Sequence, residues 1–181
     1  LGFSRKVDSR GFILVVPDGT SNPQSAQFWN ATDYCCDFYG QAPDDAGYLL
    51  GLIDEAKSRF NVNAGKVYMT GHSNGGFMSH RLACDHADVI TGIMSLAGAT
   101  FKDPERCQNS EPVAMLQVHG TDDATIRYNG DTRYPSAEET TAQWRENNAC
   151  ASAKEMDAIA IEGATSVTET DVLSGNSCTN N

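Results

Sequence analysis

The chain has 181 residues, 40% of them hydrophobic, and its 13 basic and 24 acidic residues give a formal charge of −11. This length predicts one globular domain over residues 1–181, and no apolar run approaches the roughly 18 residues of a membrane span. Because an acidic surface repels phosphate backbones, we do not expect nucleic acid as a partner. The lack of a long apolar run likewise leads us to expect no membrane partner.

Strand-like and helix-like segments alternate along the chain. The apolar run at 11–17 predicts a buried parallel strand, residues 20–43 are typical of a loop, and a helix over 45–60 is capped by Asp44 or Asp45. The later predicted elements are a strand at 66–70, a helix at 74–86, strands at 89–96 and 112–118, a helix at 137–147 and a strand near 166–172. This order predicts an α/β fold, with a mostly parallel sheet, helices on both faces and function at the carboxyl ends of the strands.

The six cysteines are even in number and form neither a CxxC motif nor a cluster with zinc-ligand spacing. We therefore predict disulfides in a secreted or periplasmic protein, and no metal site. Several complete pairings of six cysteines exist, and the sequence itself does not choose among them.

The segment Gly71-His72-Ser73-Asn74-Gly75 matches the G-x-S-x-G pattern of a nucleophile elbow. It follows a predicted strand and opens a predicted helix, as an elbow requires. Ser73 is the predicted nucleophile, and the N–H of Asn74 at the helix start is a predicted oxyanion donor. The alternative is an ordinary strand-to-helix turn in which Ser73 caps the helix.

The acid of a catalytic triad in such a sheet follows a later strand, and the stretch VHGTDDATIRY ends the strand predicted at 112–118. Asp123 is the predicted acid, because it occupies the last position of an HG-x-x-D pattern. Adjacent Asp122 is the second candidate, since only one of two neighbouring side chains is expected to point into the site.

The base is the element that the sequence does not supply. In this fold the order along the chain is Ser, Asp, His, whereas all four histidines precede Asp123. The four histidines are His72, His80, His86 and His119, and we expect none of them to be the base. The loop that carries the second oxyanion donor is also missing, so we expect the chain to be incomplete at both ends.

Seven stretches, taken in order, resemble extracellular esterases grouped with polyhydroxybutyrate depolymerases and feruloyl esterases. These stretches are FILVVPDGT, FWNATDYCCDF, DDAGYLLGLIDEAKSRFNV, KVYMTGHSNGGFMSHRLACD, LAGATF, LQVHGTDDATI and YPSAEETTAQW. The resemblance implies an α/β-hydrolase fold with Ser73 as nucleophile, Asp123 as acid and Asn74 as oxyanion donor. It implies a histidine in a GGGH-like stretch after a further strand, which this chain lacks.

The same resemblance suggests which cysteines are paired. It implies that Cys150 is bonded to Cys178, and that Cys35 or Cys36 is bonded with Cys84 and Cys107.

We therefore expect a secreted serine esterase without a cofactor, acting on a polyester of the polyhydroxybutyrate type or on a feruloyl or acetyl ester of a polysaccharide. Trp29 and His72 are predicted to contact the substrate, although loop aromatics such as Trp29, Phe28 and Tyr34 also pack on cores. Two alternatives are a serine peptidase of the prolyl-oligopeptidase type and a non-catalytic, hydrolase-like binding protein. The sequence does not determine the oligomeric state.

Overall fold

A computed structural model describes residues 2–150, 154–155 and 170–173. Its helices are α1 (Val7–Arg10), α2 (Asp45–Arg59), α3 (Asn74–Asp85) and α4 (Ala137–Asn147), with 3-10 turns at Phe3–Lys6 and Pro104–Arg106. Its strands are β1 (Thr20–Ser21), β2 (Gln27–Phe28), β3 (Tyr68–His72), β4 (Gly92–Leu96), β5 (Ala114–Val118), β6 (Lys154–Glu155) and β7 (Thr170–Leu173). The prediction of one domain over 1–181 stays a prediction, since it extends beyond the described residues.

The main sheet has the strand order β3-β4-β5-β7-β6. Strands β3, β4 and β5 are parallel and in register, so His72, Leu96 and Val118 lie side by side at their carboxyl ends. Strand β7 runs antiparallel to β5, and β6 antiparallel to β7. The predicted α/β fold is confirmed, with its parallel part confined to β3, β4 and β5 on one side of the described sheet.

The core lies between one face of this sheet and the helix α3. Phe77, Met78 and Leu82 of α3 are buried with Ile93 and Met115, whose side chains alternate inward along β4 and β5. Helix α2 joins the same core through its side chains at positions 49, 50, 52 and 53. Helices α2 and α3 therefore share one core on this face of the sheet.

The opposite face of the sheet is open in the described part of the chain. Tyr68, Met94 and Leu116 line a groove of about 290 Å³ there, together with Phe3 from the first 3-10 turn. Helices were predicted on both faces, but on this face the described residues place only the short N-terminal helical segment.

The buried strand predicted at 11–17 is wrong. Residues 12–19 belong to no strand, and the side chains of Ile13, Val15 and Val16 are 49%, 48% and 80% exposed. A continuous apolar run becomes a buried strand only where neighbours cover it on both sides. Among the described residues, none pairs with this segment in a ladder.

Local signals set the helix ends. The Asp44 side chain accepts a hydrogen bond from the N–H of Gly47 and caps α2, one of the two predicted caps. Asp45 is instead buried and ties two loop segments to α2, because its carboxylate accepts from Thr20 Oγ1 at 2.8 Å and from the N–H of Asn30 at 2.7 Å. Helix α4 has the predicted bounds and begins with a capping box.

The predicted pairing of Cys35 or Cys36 with Cys84 and Cys107 is wrong. Cys84 is bonded to Cys107, and Cys35 is bonded to its neighbour Cys36. Cys84 near the end of α3 and Cys107 after the second 3-10 turn have Cα atoms 4.8 Å apart, within the range of a disulfide. The Cys150–Cys178 pairing involves a residue outside the described part of the chain and stays a prediction.

Candidate active site

Ser73 occupies a sharp turn between β3 and α3. Its backbone has φ 53° and ψ −117°, a region that non-glycine residues avoid and that is often found at functional sites. The turn is held by the N–H of Ser73, which donates to the carbonyl of Leu96 at 2.8 Å, and by its carbonyl, which accepts from Phe77 at 3.0 Å. The half-buried Ser73 side chain makes no capping hydrogen bond, which argues against the alternative of a capping serine.

The two glycines of the motif have different steric environments. A Cβ on Gly71 would overlap the backbone of Gly75, whereas a Cβ on Gly75 would meet nothing within 4 Å. Of the two glycines, only Gly71 lies where a side chain would collide with the turn. The tight turn needs this one position to lack a side chain.

We expect Gly71→Ala to lower the free energy of unfolding by about 1–3 kcal/mol, because the new methyl group has no space without a shift of the turn. Gly75→Ala is the matched control, and alanine at this helical position is expected to change stability by less than about 1 kcal/mol, in the favourable direction. Urea denaturation of both variants measures the difference. Equal destabilisation by the two substitutions would contradict the steric explanation.

Asn74 is the first residue of α3, and its N–H has no acceptor within the helix. The Asn74 side chain is engaged elsewhere: its Oδ1 accepts from the N–H of Trp29 at 2.7 Å, and its Nδ2 donates to the carbonyl of Trp29 at 3.0 Å. The side chain therefore fastens the Trp29 loop to the start of α3. The backbone N–H of Asn74 lies at the positive end of the helix dipole, where an anion is favoured.

The two predicted substrate-contacting residues lie in different environments. Trp29 is half-buried beside Asn74, and its ring stacks on Tyr48 with centroids 6.4 Å apart. His72 is exposed at the end of β3, next to Ser73. The structure thus brings Trp29 to the turn through its backbone, and both substrate contacts stay predictions.

The acid candidates follow β5. Asp123 Oδ1 accepts from the N–H groups of Thr125 at 2.8 Å and Ile126 at 3.0 Å, and its side chain is 23% exposed. Its Oδ2 lies 3.9 Å from Nε2 of His119. Asp122 is exposed. The structure therefore fixes Asp123 at the sheet edge and leaves Asp122 in solvent.

Ser73 and Asp123 follow two parallel strands that are separated by β4. Neighbouring strands lie about 4.8 Å apart, so the two strand ends are separated by about 10 Å. The carboxyl edge of the sheet thus carries the predicted nucleophile and the predicted acid after strands that are two apart, and a catalytic base would have to lie between them.

None of the four histidines occupies that position. His80 and His119 are buried and bonded to other groups. His86 caps the far end of α3, about 18 Å along a helix of 12 residues from Ser73. The exposed His72 precedes Ser73 and is hydrogen-bonded in register beside Leu96. The expectation that none of the four is the base stays a prediction.

Burial lowers the pKa of His80 to about 4, from 6.5 for a free histidine, because the charged ring would lose its hydration. Between pH 6.5 and 4, His80 is therefore protonated in the unfolded chain and neutral in the folded chain. The neutral state of His80 therefore contributes fully to the free energy of unfolding above pH 6.5. About 3 kcal/mol of this free energy is lost as the pH falls towards 4.

We expect His80→Gln to remove this part of the acid sensitivity. The free energy of unfolding of the variant should fall less between pH 7 and 4 than that of the wild type, by the same 3 kcal/mol or so. Urea titrations at several pH values measure it. A variant that loses stability with acid as steeply as the wild type would contradict the buried, neutral state of His80.

Sequence reasoning missed three contributors to this region. They are the Asn74 side chain as an anchor for the Trp29 loop, Gln117, and Trp144. Gln117 had a signal, because it is the single polar residue in the strand AMLQV. Residues 2–150 contain no cluster of three or more His, Cys, Asp or Glu that could hold a metal ion, and no helix in the described part is long and apolar enough to cross a membrane.

An α/β fold with a strained serine between a parallel strand and a helix, and a fixed aspartate two strands away, is the arrangement of serine hydrolases. No protein-family model matches the chain. Proteins similar to this chain bear esterase names.

Feruloyl esterase B from Piromyces equi is 29% identical over an alignment of 152 residues that covers 77% of this chain and 27% of that protein. The bifunctional acetylxylan esterase/xylanase XynS20E from Neocallimastix patriciarum is 26% identical over 121 residues, covering 67% of this chain and 16% of that protein. Acetylxylan esterase from Coprinopsis cinerea is 27% identical over 128 residues, covering 66% of this chain and 33% of that protein. The chain thus spans about a third or less of the length of these three relatives.

Proposed function

We propose that this chain carries the nucleophile, the acid and one oxyanion donor of a serine carboxylic-ester hydrolase. The backbone of Ser73 carries the proposal: a strained, non-capping serine stands at the end of a parallel strand and at the start of a helix. The esterase names of the similar proteins support the same reaction class.

In the proposed reaction, Ser73 Oγ attacks the ester carbonyl while a histidine takes its proton. None of the four histidines described above supplies this base. Asp123 holds the imidazole through its free Oδ2, and the N–H of Asn74 donates to the oxyanion. The alcohol leaves with the proton, and water then attacks the acyl-enzyme and releases the acid.

For the substrate, we favour a feruloyl or acetyl ester of a plant cell-wall polysaccharide over a polyester of the polyhydroxybutyrate type. The names of the similar proteins refer to feruloyl and acetylxylan esters. Trp29 beside the nucleophile turn offers an aromatic surface to either class. We also propose that the protein is secreted, because Cys84–Cys107 and Cys35–Cys36 are disulfides, which persist in oxidising compartments.

The second candidate is a hydrolase-like binding protein without catalysis. The observation in its favour is that none of the four histidines forms a hydrogen bond with Ser73 in the described structure. It predicts binding of the same esters without turnover.

The test uses the full-length protein with methyl ferulate, acetylated xylan and hydroxybutyrate oligomers as substrates. In parallel, a fluorophosphonate probe reports whether a serine is activated, whatever the substrate preference. We expect hydrolysis of the first or second substrate and labelling of the peptide that contains Ser73. Folded protein that neither hydrolyses an ester nor reacts with the probe would contradict the enzyme and support the binding protein.

A further inference from the structure

A continuous chain of buried hydrogen bonds runs from α4 across α3 and β5 to the acid loop. Trp144 Nε1 donates to His80 Nδ1 at 2.9 Å, and His80 Nε2 lies 3.2 Å from Gln117 Oε1. Gln117 Nε2 lies 3.4 Å from His119 Nδ1, and His119 Nε2 lies 2.7 Å from the carbonyl of Ile126. Its four side chains are each at most 3% exposed.

The donor at one end of this hydrogen-bond network, Trp144, fixes the direction of every bond in the network. The indole of Trp144 is a donor only, so His80 Nδ1 must accept and His80 Nε2 must carry the proton that it donates to Gln117. The Gln117 amide nitrogen then donates to His119 Nδ1, and also to the carbonyl of Gly98 at 2.8 Å. His119 is therefore neutral, and its one proton, on Nε2, goes to the carbonyl of Ile126.

Ile126 connects this hydrogen-bond network to the predicted acid, Asp123. Its carbonyl accepts from His119, and its N–H donates to Asp123 Oδ1 at 3.0 Å. Because His119 Nε2 gives its proton to Ile126, Asp123 Oδ2 at 3.9 Å is left free. The His119 bond thus holds the loop that orients the carboxylate, without occupying the oxygen that a catalytic base needs.

The same network reaches the nucleophile. His80 belongs to α3, the helix that directly follows Ser73. Gly98, whose carbonyl binds Gln117, packs directly against Gly76 in the first turn of α3. One set of buried bonds therefore joins the nucleophile helix to the acid loop and fixes their separation.

We propose that His119 is a positioning residue that acts through Ile126 on Asp123, and that His80 and Gln117 hold it in the required tautomer. The proposal rests on the proposed esterase function of Ser73 and Asp123. His119 is almost completely buried and touches no substrate, so its loss should lower kcat and leave KM nearly unchanged.

Two amide substitutions separate the roles of the two ring nitrogens. The His119→Asn amide reaches only the position of Nδ1 and loses the bond to Ile126, whereas the His119→Gln amide extends to the position of Nε2 and can keep it. In the full-length protein, with methyl ferulate and p-nitrophenyl butyrate, we expect His119→Asn to lower kcat about a hundredfold, as a displacement of about 1 Å in a catalytic group does. His119→Gln should stay within about tenfold of the wild type, and KM should change by less than about threefold in both.

Asn148→Leu is the control for general destabilisation. Asn148 is also buried and binds both backbone groups of Val113, but this is at the amino end of β5, away from the site. We expect it to lower the melting temperature with kcat unchanged. A similar fall in kcat for Asn148→Leu and His119→Asn, or equal kcat for the Asn and Gln variants, would overturn the positioning role.

Ser73→Ala in the same assays keeps the two proposals apart. If Ser73→Ala is inactive and His119→Asn has the kcat of the wild type, the positioning role is wrong and the esterase stands. If Ser73→Ala retains wild-type hydrolysis, the proposed function itself is wrong.

Discussion

Ser73→Ala is expected to lower the hydrolysis of p-nitrophenyl butyrate by the full-length protein at least about a thousandfold, because loss of a triad member removes the covalent route. The substitution removes one oxygen atom that makes no capping hydrogen bond. Stability should therefore change little, and the strained backbone should persist, since alanine meets the same restriction at φ 53°. Steady-state kinetics and thermal melting of the purified variant measure the two effects.

Ser79→Ala is the matched control on the same helix. Ser79 is buried and its hydroxyl donates to the carbonyl of Gly75 at 2.8 Å, so its loss costs a hydrogen bond near the turn. We expect a lower melting temperature with kcat within about threefold of the wild type. Wild-type activity and unchanged fluorophosphonate labelling in Ser73→Ala would show that another residue is the nucleophile.

Local patterns predicted the elements whose ends depend on local chemistry. Helix α4 has the bounds predicted from its sequence, because a capping box at Ser136 and Glu139 starts it. The strands β3, β4 and β5 were placed within about three residues at their starts and two at their ends, since boundaries inside apolar runs are set by pairing with neighbours. Ser73 could be found because the strand, turn and helix around it are all local features.

Features that depend on distant partners could not be read from the sequence. The run at 11–17 has the composition of a central strand, but burial of Val15 and Val16 requires neighbours that no described residue supplies. The Cys35–Cys36 bond joins adjacent residues, a pairing that the family resemblance did not suggest. The antiparallel entry of β7 beside β5 likewise has no local signature.

The positions of the candidate residues could be proposed from the sequence, whereas the hydrogen-bond network around them could not. Ser73 and Asp123 were chosen as candidates because they follow strands whose carboxyl ends meet at one edge of a parallel sheet, where functional groups collect. The Asn74 side chain, by contrast, fastens a loop that lies 45 residues earlier in the chain, and Gln117 links two histidines that lie 39 residues apart. Such contacts follow only from the packing of α3 and α4 on the same face of the sheet.

A pair of amide substitutions tests which of two adjacent carboxylates, Asp122 or Asp123, is the catalytic acid. Asp123→Asn should lower kcat by about a thousandfold to ten-thousandfold, because an amide nitrogen at the Oδ2 position offers a proton where the catalytic imidazole needs an acceptor, and so favours the wrong tautomer. The amide oxygen can still accept from Thr125 and Ile126 at the Oδ1 position. The loop should therefore keep its shape, and KM and the melting temperature should change little.

Asp122→Asn makes the same chemical change one residue earlier, on an exposed side chain. Since solvent screens that position, we expect kcat within about threefold of the wild type. The ratio of the two kcat values, measured with p-nitrophenyl butyrate on the full-length protein, decides the assignment. A large loss for Asp122→Asn with little for Asp123→Asn would make Asp122 the acid, and the hydrogen bonds of Asp123 to Thr125 and Ile126 would then serve only to shape the loop.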